Sequence, residues 1–258
     1  MFNRSYSVQL AFIVLLISLA ASGSISQRQA GVTPHKSVTT DLSHGATFTF
    51  KIAANLPEFT FKIIPEPQEN DPNGNAQSTV RDIQVFIGDA KNPSQHLTDC
   101  GFEEMEPPPA RSDWFRVDDF NFDGYQDVYL PTSWGGTGNE SGCIWLYNSE
   151  SKGFDYSKEF SALSLARLDP ATKTLLTFSN GGMVGMVHVA EKYAVENNRP
   201  MLIWSENQDW DDKKDQFHCV VQERRGNRMV TVRDEWGNSK DLEGPCDPSK
   251  LFKSLPRR

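Results

Sequence analysis

Short stretches in which apolar and polar residues alternate recur along most of the chain. Ala46–Ile52, Phe59–Ile64 and Arg81–Ile87 each place an apolar side chain at every second position. Successive side chains of a β-strand point to opposite faces of a sheet, so this period of two predicts strands with one buried face. The segment Pro65–Ser78 is dense in Pro, Asn, Gly and acidic residues, and it predicts a long exposed loop.

The second half of the chain continues this pattern, and helical periodicity is sparse. Further strands are predicted at Val128–Leu130, Cys143–Tyr147, Lys173–Ser179, Met183–Val195, Met201–Trp204, Cys219–Glu223 and Met229–Val232, the last two forming a hairpin with Gly226-Asn227 at its tip. Turns are predicted at Asn148–Gly153, Ser179–Gly182 and Asn197-Asn198, and Phe160–Ala166 is either a short helix or an irregular turn. The predicted fold class is therefore mainly β, built from antiparallel hairpins.

The first 23 residues have the features of a signal peptide. Arg4 supplies a positive charge, Leu10–Ala20 is a compact apolar run, and Ala20–Ser24 offers the small residues that a signal peptidase needs. The apolar run is shorter than the roughly twenty residues needed to span a bilayer. We therefore predict export with cleavage near Gly23, a polar lead-in over residues 24–42, and one β-rich domain over residues 43–258.

Composition and charge narrow the classes of partner. Apolar residues make up 38% of the chain and charged residues 23%, as in an ordinary globular protein. The formal net charge of −8 disfavours nucleic acid and anionic membranes, because both repel an acidic protein. A basic protein partner suits this charge.

Four cysteines follow the signal peptide, and they indicate disulfides. Cys100, Cys143, Cys219 and Cys246 are an even set in an exported chain, which is typical of an oxidising compartment. Three pairings are open from the sequence; Cys100 with Cys143 and Cys219 with Cys246 is the favoured one, because each pair brackets a compact unit. A metal–thiolate site would need closely spaced pairs, which this sequence lacks.

The segment Asp119–Asp127, which reads D-F-N-F-D-G-Y-Q-D, carries the strongest chemical signal. Oxygen-bearing side chains occupy its positions 1, 3, 5 and 9, and Gly124 at position 6 permits a sharp turn. Ca²⁺ binds about six to eight oxygens, which alternate residues of a tightly coiled loop can supply. The predicted calcium ligands are the side chains of Asp119, Asn121, Asp123 and Asp127 and the main-chain carbonyl of Tyr125.

The loop is not an EF-hand. Position 12, where an EF-hand has a bidentate Glu, is Leu130, and strand-like residues follow in place of a helix. The segment instead resembles the D-x-N-x-D-G-x-x-D calcium loops that join strands in integrin-type (FG-GAP) β-propeller repeats. A bare acidic loop without metal is the alternative interpretation.

Several motifs around this loop occur in the order found in one family of exported bacterial proteins. They are D-F-N-F-D-G-Y-Q-D-V-Y-L (Asp119–Leu130), G-G-T-G-N (Gly135–Asn139), W-L-Y-N (Trp145–Asn148), K-G-F (Lys152–Phe154), D-P-A-T-K-T (Asp169–Thr174), S-N-G-G (Ser179–Gly182) and N-N-R-P (Asn197–Pro200). Over about Arg111–Trp204 the chain resembles a family of periplasmic immunity proteins that act against lysozyme-like effectors of type IV secretion systems. The resemblance implies a periplasmic protein with an incomplete, propeller-like β fold, one calcium ion, and inhibition of a peptidoglycan hydrolase by a protruding loop.

A glycine-rich loop after the calcium motif is the predicted partner contact. Gly135–Gly142 lacks the Lys-Ser/Thr ending and the following helix of a phosphate-binding loop. It is either a flexible loop or a contact surface, because loops on a rigid scaffold commonly carry binding. Trp134 is either an interface anchor or a packing residue. The candidate partner-binding residues are Trp134, Gly135, Gly136, Thr137, Gly138 and Asn139.

The remaining candidates give little support to catalysis. Ser149–Lys152 matches S-x-x-K, but it falls in a predicted hairpin turn without the other motifs of penicillin-recognising enzymes. The five His are scattered, and the carboxylates of Glu103–Glu106 give no sign of facing each other as a glycosidase pair does. The acids of Asp209–Asp215 either coordinate a second cation or form a solvated loop, and the interspersed lysines favour the loop. The sequence predicts a non-enzymatic calcium-binding immunity protein that blocks a lysozyme-like hydrolase. A calcium-dependent adhesion or surface-recognition module and a hydrolase with an unrecognised site are the alternatives.

Overall fold

The computed structural model describes residues 45–65, 80–97, 100, 115–163, 167–238 and 246–247. The predicted signal peptide, the lead-in, the acidic segment Glu103–Glu106 and nearly all of the predicted loop Pro65–Ser78 lie outside these residues. The described part is mainly β, as predicted, with strands arranged in three antiparallel sheets. Within it, no helix combines the length and the apolar character needed to cross a membrane.

Each sheet is a meander in which strands that are consecutive in sequence lie side by side. The first sheet contains β1 (Ala46–Lys51), β2 (Glu58–Pro65), β3 (Val80–Ile87) and β4 (Gln95–Leu97). The second contains β5 (Arg116–Asp118), β6 (Asp127–Trp134), β7 (Glu140–Asn148) and β8 (Gly153–Tyr156). The third contains β9 (Arg167–Asp169), β10 (Thr174–Gly182), β11 (Val187–Glu196), β12 (Arg199–Asp211), β13 (Gln216–Arg225) and β14 (Arg228–Asn238). Four-stranded meanders are the topology of a propeller blade, and none of the three sheets closes on itself.

The second sheet is buried on both faces. One face joins the first sheet in a cluster that contains Phe59, Phe61, Val128, Leu130 and Trp145. The opposite face packs against α1 (Lys158–Ser161) and the third sheet in a second cluster, whose buried members are Phe120, Tyr129, Ile144, Phe160, Leu163 and Leu175. The two sets alternate along β6 and β7, as the period of two in their sequences requires.

Two disulfides tie segments to these sheets. Cys100 is joined to Cys143 of β7, and Cys219 of β13 is joined to Cys246. This is the pairing that was favoured from the sequence. All four sulfurs are buried with their residues, so each bond lies inside the apolar packing and away from solvent.

The turn between β10 and β11 differs from the prediction. The sequence suggested a turn at Ser179–Gly182 and a strand from Met183, but β10 continues through Gly182, and a short 3-10 turn occupies Met183–Gly185 before β11 begins at Val187. Gly182 remains paired with Val187 of β11, and Gly181 forms a bulge between Asn180 and Gly182. The pairing of Gly182 with Val187 therefore extends the hairpin, and its tip lies at Met183–Gly185.

The short helix also begins earlier than predicted. Its first residue is Lys158, because the Ser157 hydroxyl accepts a hydrogen bond from Phe160 N at 3.4 Å and caps the helix. The helix ends at Ser161, and residues 164–166 lie outside the described part. Phe160 is fully buried, so this single turn serves to fill the space between the second and third sheets.

Candidate functional site: the aspartate loop and the turns beside it

The aspartate loop, residues 119–127, connects β5 to β6 and coils back on its first residue. The Asp119 carboxylate accepts hydrogen bonds from Asp123 N at 3.0 Å and Gly124 N at 2.9 Å. The coil needs left-handed backbone at Phe122 (φ 58°) and Gly124 (φ 93°). A Cβ on Gly124 would meet no atom within 4 Å, so glycine is favoured there by conformation and not by lack of space.

Asn121 and Asp123 lie side by side within the coil. Asn121 Nδ2 donates to Asp123 Oδ2 at 2.9 Å, and Asp123 Oδ1 accepts from Tyr125 N at 2.9 Å. Asn121 is buried, whereas Asp123 is exposed to solvent. The side of the loop at Asp123 is therefore open to solvent, and the side at Asn121 is packed into the protein.

Asp127 closes the loop from inside the core. It is completely buried; its Oδ2 accepts from Phe120 N at 2.8 Å and its Oδ1 accepts from Tyr147 N at 2.9 Å. The first of these bonds joins the two ends of the loop, and the second joins the loop to β7. The Phe120 side chain packs in the second cluster and so anchors the loop to the core.

Negative charge is concentrated in the loop. Burial raises the pKa of Asp127 well above its ordinary value, against the hydrogen bonds from Tyr147 and Phe120, and the charges of Asp123 and Asp119 raise it further. Burial also raises the pKa of Asp119, and the neighbouring Asp123 adds to the effect. Negatively charged carboxylates in one short loop repel one another, and a cation placed among them would relieve that repulsion.

The three sheets meet at this loop. Gln126 N donates to Ile52 O, which follows β1, at 2.9 Å, while the Asp127–Tyr147 bond reaches the second sheet. Asn121 Nδ2 lies 3.4 Å from Oδ1 of Asn198, in the turn between β11 and β12 of the third sheet. A change in the conformation of the loop would therefore alter hydrogen bonds to all three sheets.

A second group of potential ligands lies elsewhere. Among the described residues, the ligand atoms of Glu206, Cys219 and Cys246 come within 4.8 Å of one another. Because the two sulfurs are joined to each other, they are not available as thiolate ligands. The carboxylates of Asp119, Asp123 and Asp127 do not form such a group; their oxygens face main-chain amides and the Asn121 side chain.

The predicted partner loop is a hydrogen-bonded turn between β6 and β7. Gly135 N donates to Asn139 O, and Gly138 N donates to Gly135 O, both at 2.8 Å. Gly135, Gly136, Thr137 and Gly138 are exposed, and Asn139 is half-buried. Trp134 ends β6 opposite Glu140, and its side chain lies outside the described part.

The base of this turn rests on a half-buried ion pair between Arg116 and Glu140, which the sequence did not predict. Glu140 Oε1 accepts from the Tyr129 hydroxyl at 2.6 Å and from Arg116 Nη2 at 3.1 Å. The Arg116 guanidinium also lies over the Tyr129 ring, 4.1 Å from its centroid. The three residues come from three strands and have no shared sequence motif, so only their long-range pairing brings them together.

The other sequence candidates lie apart from the loop. His96, His188 and His218 each contact one carboxylate, those of Asp82, Glu206 and Asp234 respectively, and His35 and His44 lie outside the described residues. The Asp209–Asp215 segment forms the end of β12 and the following turn. Ser149–Lys152 lies in the turn between β7 and β8, as predicted.

The comparisons with known proteins show the fold. No protein-family model matches the chain, and no curated protein matches it in sequence. One solved structure has the same fold: a Xanthomonas protein described as related to a type IV secretion system. It aligns with a TM-score of 0.50 at 15% identity, covering 78% of this chain and 98% of that one. At this level of identity the likeness concerns the arrangement of the sheets.

Proposed function

We propose that this chain is an exported, calcium-stabilised binding protein that blocks a lysozyme-type peptidoglycan hydrolase and performs no catalysis itself. The observation that carries the proposal is the position of the aspartate loop where three sheets meet, at the opposite end of β6 from the turn at Gly135–Asn139. Two disulfides support export to an oxidising compartment such as the periplasm. The secretion-system connection of the structural neighbour supports a secretion-associated role.

The donor set of the loop fits Ca²⁺. The ion would be held by side-chain oxygens of Asp119, Asn121, Asp123 and Asp127 and by the carbonyl of Tyr125. A carboxylate has about four acceptor positions, so the main-chain N–H contacts at Asp119 and Asp127 leave lone pairs for a cation. Mg²⁺ is the poorer candidate, because it keeps several of its waters and seldom accepts an all-protein set of ligands.

The blocking mechanism would be steric. Calcium would fix the meeting point of the sheets and so hold the turns of the second and third sheets in one arrangement. A surface that is already ordered loses little conformational entropy on binding. The net charge of −8 would draw in a basic hydrolase and raise the rate of encounter.

Thermal unfolding of Asp123→Ala tests the calcium site. Calcium should raise the melting temperature of the wild type, by the equivalent of about 2.7 kcal/mol at a concentration a hundred times the dissociation constant, and it should leave Asp123→Ala unchanged. Asp212→Ala, an exposed acid in the turn after β12, is the matched control and should respond like the wild type. Equal calcium responses of all three proteins would refute the site.

Turbidity loss of a cell-wall suspension tests the inhibitory function. The mature protein, in excess, should slow lysis by one or more members of a panel of purified lysozyme-type hydrolases, including any encoded beside this chain. Inhibition should weaken in chelator, because the scaffold loses its cation. Unchanged lysis throughout the panel would remove the inhibitor function for those enzymes.

A further inference from the structure

The turn between β10 and β11 carries an apolar tip, defined here as Met183 and Val184. Val184 is fully exposed (103%), and Met183 is 52% exposed. Large apolar side chains on the surface are ordinary when they are scattered singly, but adjacent ones at the end of a hairpin form a convex knob. No such role was predicted, although two apolar residues between glycines (Gly182 and Gly185) were the signal that could have shown it.

The backbone of the tip is held in a costly conformation. Met183 and Val184 have φ values of 49° and 57°, in the left-handed region. That region is especially unfavourable for a β-branched residue such as Val. Such a conformation persists only where surrounding contacts fix it.

Buried side chains of the third sheet fix the C-terminal side of the tip. His188 Nδ1 lies 2.9 Å from Gly185 O, and Gln208 Nε2 donates to Met186 O at 2.7 Å. Because a carbonyl oxygen can only accept, the His188 ring donates a hydrogen from Nδ1 to Gly185 O. Its Nε2 lies 3.2 Å from Glu206 Oε1, and all three side chains belong to buried residues.

The N-terminal side of the tip is fixed as well. Asn180 Oδ1 accepts from Gly182 N at 2.9 Å, and the Asn180 backbone is bound by the side chain of Asn139. Gln208 in turn accepts from Cys246 N at 2.8 Å, so the Cys219–Cys246 disulfide anchors the same support. The tip is thus preorganised from both sides.

We propose that Met183 and Val184 are the element that enters the partner's cleft, and that the partner offers a concave apolar recess. The inference rests on the proposed function and assigns its contact surface. A rigid convex knob of two apolar side chains matches a recess in shape, and a few well-buried side chains carry most of the binding energy in a protein interface. An anionic membrane is the less suitable partner, because the chain carries a net charge of −8.

Val184→Asp tests the contact, and Val232→Asp on β14 is the control, since Val232 is also exposed (40%). The probes are the hydrolase panel used for inhibition and vesicles of phosphatidylethanolamine with phosphatidylglycerol. For an inhibited hydrolase, Val184→Asp should raise the inhibition constant by at least about 30-fold, and Val232→Asp should stay within about twofold of the wild type.

Three other outcomes would contradict the role of Met183 and Val184 as the partner contact. If wild type and Val184→Asp inhibit equally, the tip is not the contact, although the proposed function stands. If the wild type inhibits nothing, the proposed function and the docking role fall together. If Val184 matters only for vesicle binding, the tip is a membrane contact.

A second variant separates positioning from contact. In the double variant His188→Phe with Glu206→Met, both polar partners become apolar at similar volume, and the ring next to Phe178 is kept. We expect a cooperative melt, weaker inhibition, and exchange of the Met186 amide hydrogen about tenfold faster, with the Tyr125 amide unchanged. Unchanged Met186 exchange would exclude a positioning role; if the double variant does not melt cooperatively, Gln208→Met receives the same measurements.

Discussion

The side-chain amide of Asn139 forms a two-point contact with the backbone of Asn180. Asn139 Nδ2 donates to Asn180 O at 3.0 Å, and its Oδ1 accepts from Asn180 N at 2.7 Å. Asn180 Nδ2 returns a hydrogen bond to Thr137 O at 3.1 Å. The turn of the second sheet is thereby joined to the third sheet at the start of the apolar tip.

Replacing Asn139 should loosen that junction. Asn139→Ala removes both hydrogen bonds and leaves two half-buried main-chain groups of Asn180 without their partner, so we expect a loss of about 1–3 kcal/mol in the free energy of unfolding. Thr137→Ala is the control, because its contribution to the junction comes from the backbone carbonyl. Urea unfolding measures both; equal stability of the two variants would contradict the role of the junction.

Asp127 should be needed even without calcium. Asp127→Asn places an amide nitrogen against one of two main-chain N–H donors, from Phe120 or Tyr147, in a fully buried site. One of the two hydrogen bonds to the side chain is lost, and the new amide N–H faces a main-chain N–H. In chelator this should lower the free energy of unfolding by about 2–4 kcal/mol. Asp123→Ala in chelator should change stability by less than about 1 kcal/mol, because Asp123 is exposed. Similar losses of stability for Asp127→Asn and Asp123→Ala would contradict the structural role of Asp127 in the absence of calcium.

The two disulfides should stabilise the protein to similar but distinguishable extents. They close segments of 43 residues (Cys100–Cys143) and 27 residues (Cys219–Cys246). Loop-closure entropy predicts about 4 and about 3.5 kcal/mol respectively. Serine pairs at each bridge, compared by denaturant unfolding, test this order. We expect only the Cys219/Cys246 pair to speed amide exchange at Met186, since Gln208 links that bridge to the tip.

The strands and the loop were open to prediction because their signals are local. Apolar and polar residues alternate within the six to eight residues of β1 and of β2. The spacing of the predicted calcium ligands is contained in the nine residues Asp119–Asp127. The hairpin at Gly226-Asn227 was likewise located correctly, since two-residue turns have their own sequence preference.

The junctions between sheets could not be predicted, because each depends on residues far apart in sequence. Asn139 and Asn180 are 41 residues apart, and Asn121 and Asn198 are 77 apart. The sequence around Asn139 does not show whether its side-chain amide binds another strand or faces solvent. The tip was misplaced for a related reason: the glycines at 181 and 182 suggested a turn, but Gly182 pairs with Val187 of β11 and Gly181 is a bulge within the strand.

Tyr129 should make the protein sensitive to alkaline pH. Burial, together with the adjacent Glu140 carboxylate, raises the pKa of Tyr129 above its ordinary value near 10. Above pH 10 the unfolded chain releases this proton and the folded protein keeps it, so folding stability falls as pH rises, by about 1.4 kcal/mol per pH unit for this group. Below pH 10 the hydroxyl is protonated in both states, and the stabilising bond to Glu140 is fully present.

Tyr129→Phe tests whether this tyrosine causes the loss of stability at alkaline pH. At pH 8 the variant should be less stable than the wild type by about 1–3 kcal/mol, because the bond to the Glu140 carboxylate is lost. Between pH 8 and 11 the difference should shrink by about 1.4 kcal/mol, since only the wild type has a tyrosine proton at this position. Tyr156→Phe on β8, outside the network, should run parallel to the wild type. A difference between Tyr129→Phe and the wild type that stays constant up to pH 11 would mean that the Tyr129 proton is not retained on folding.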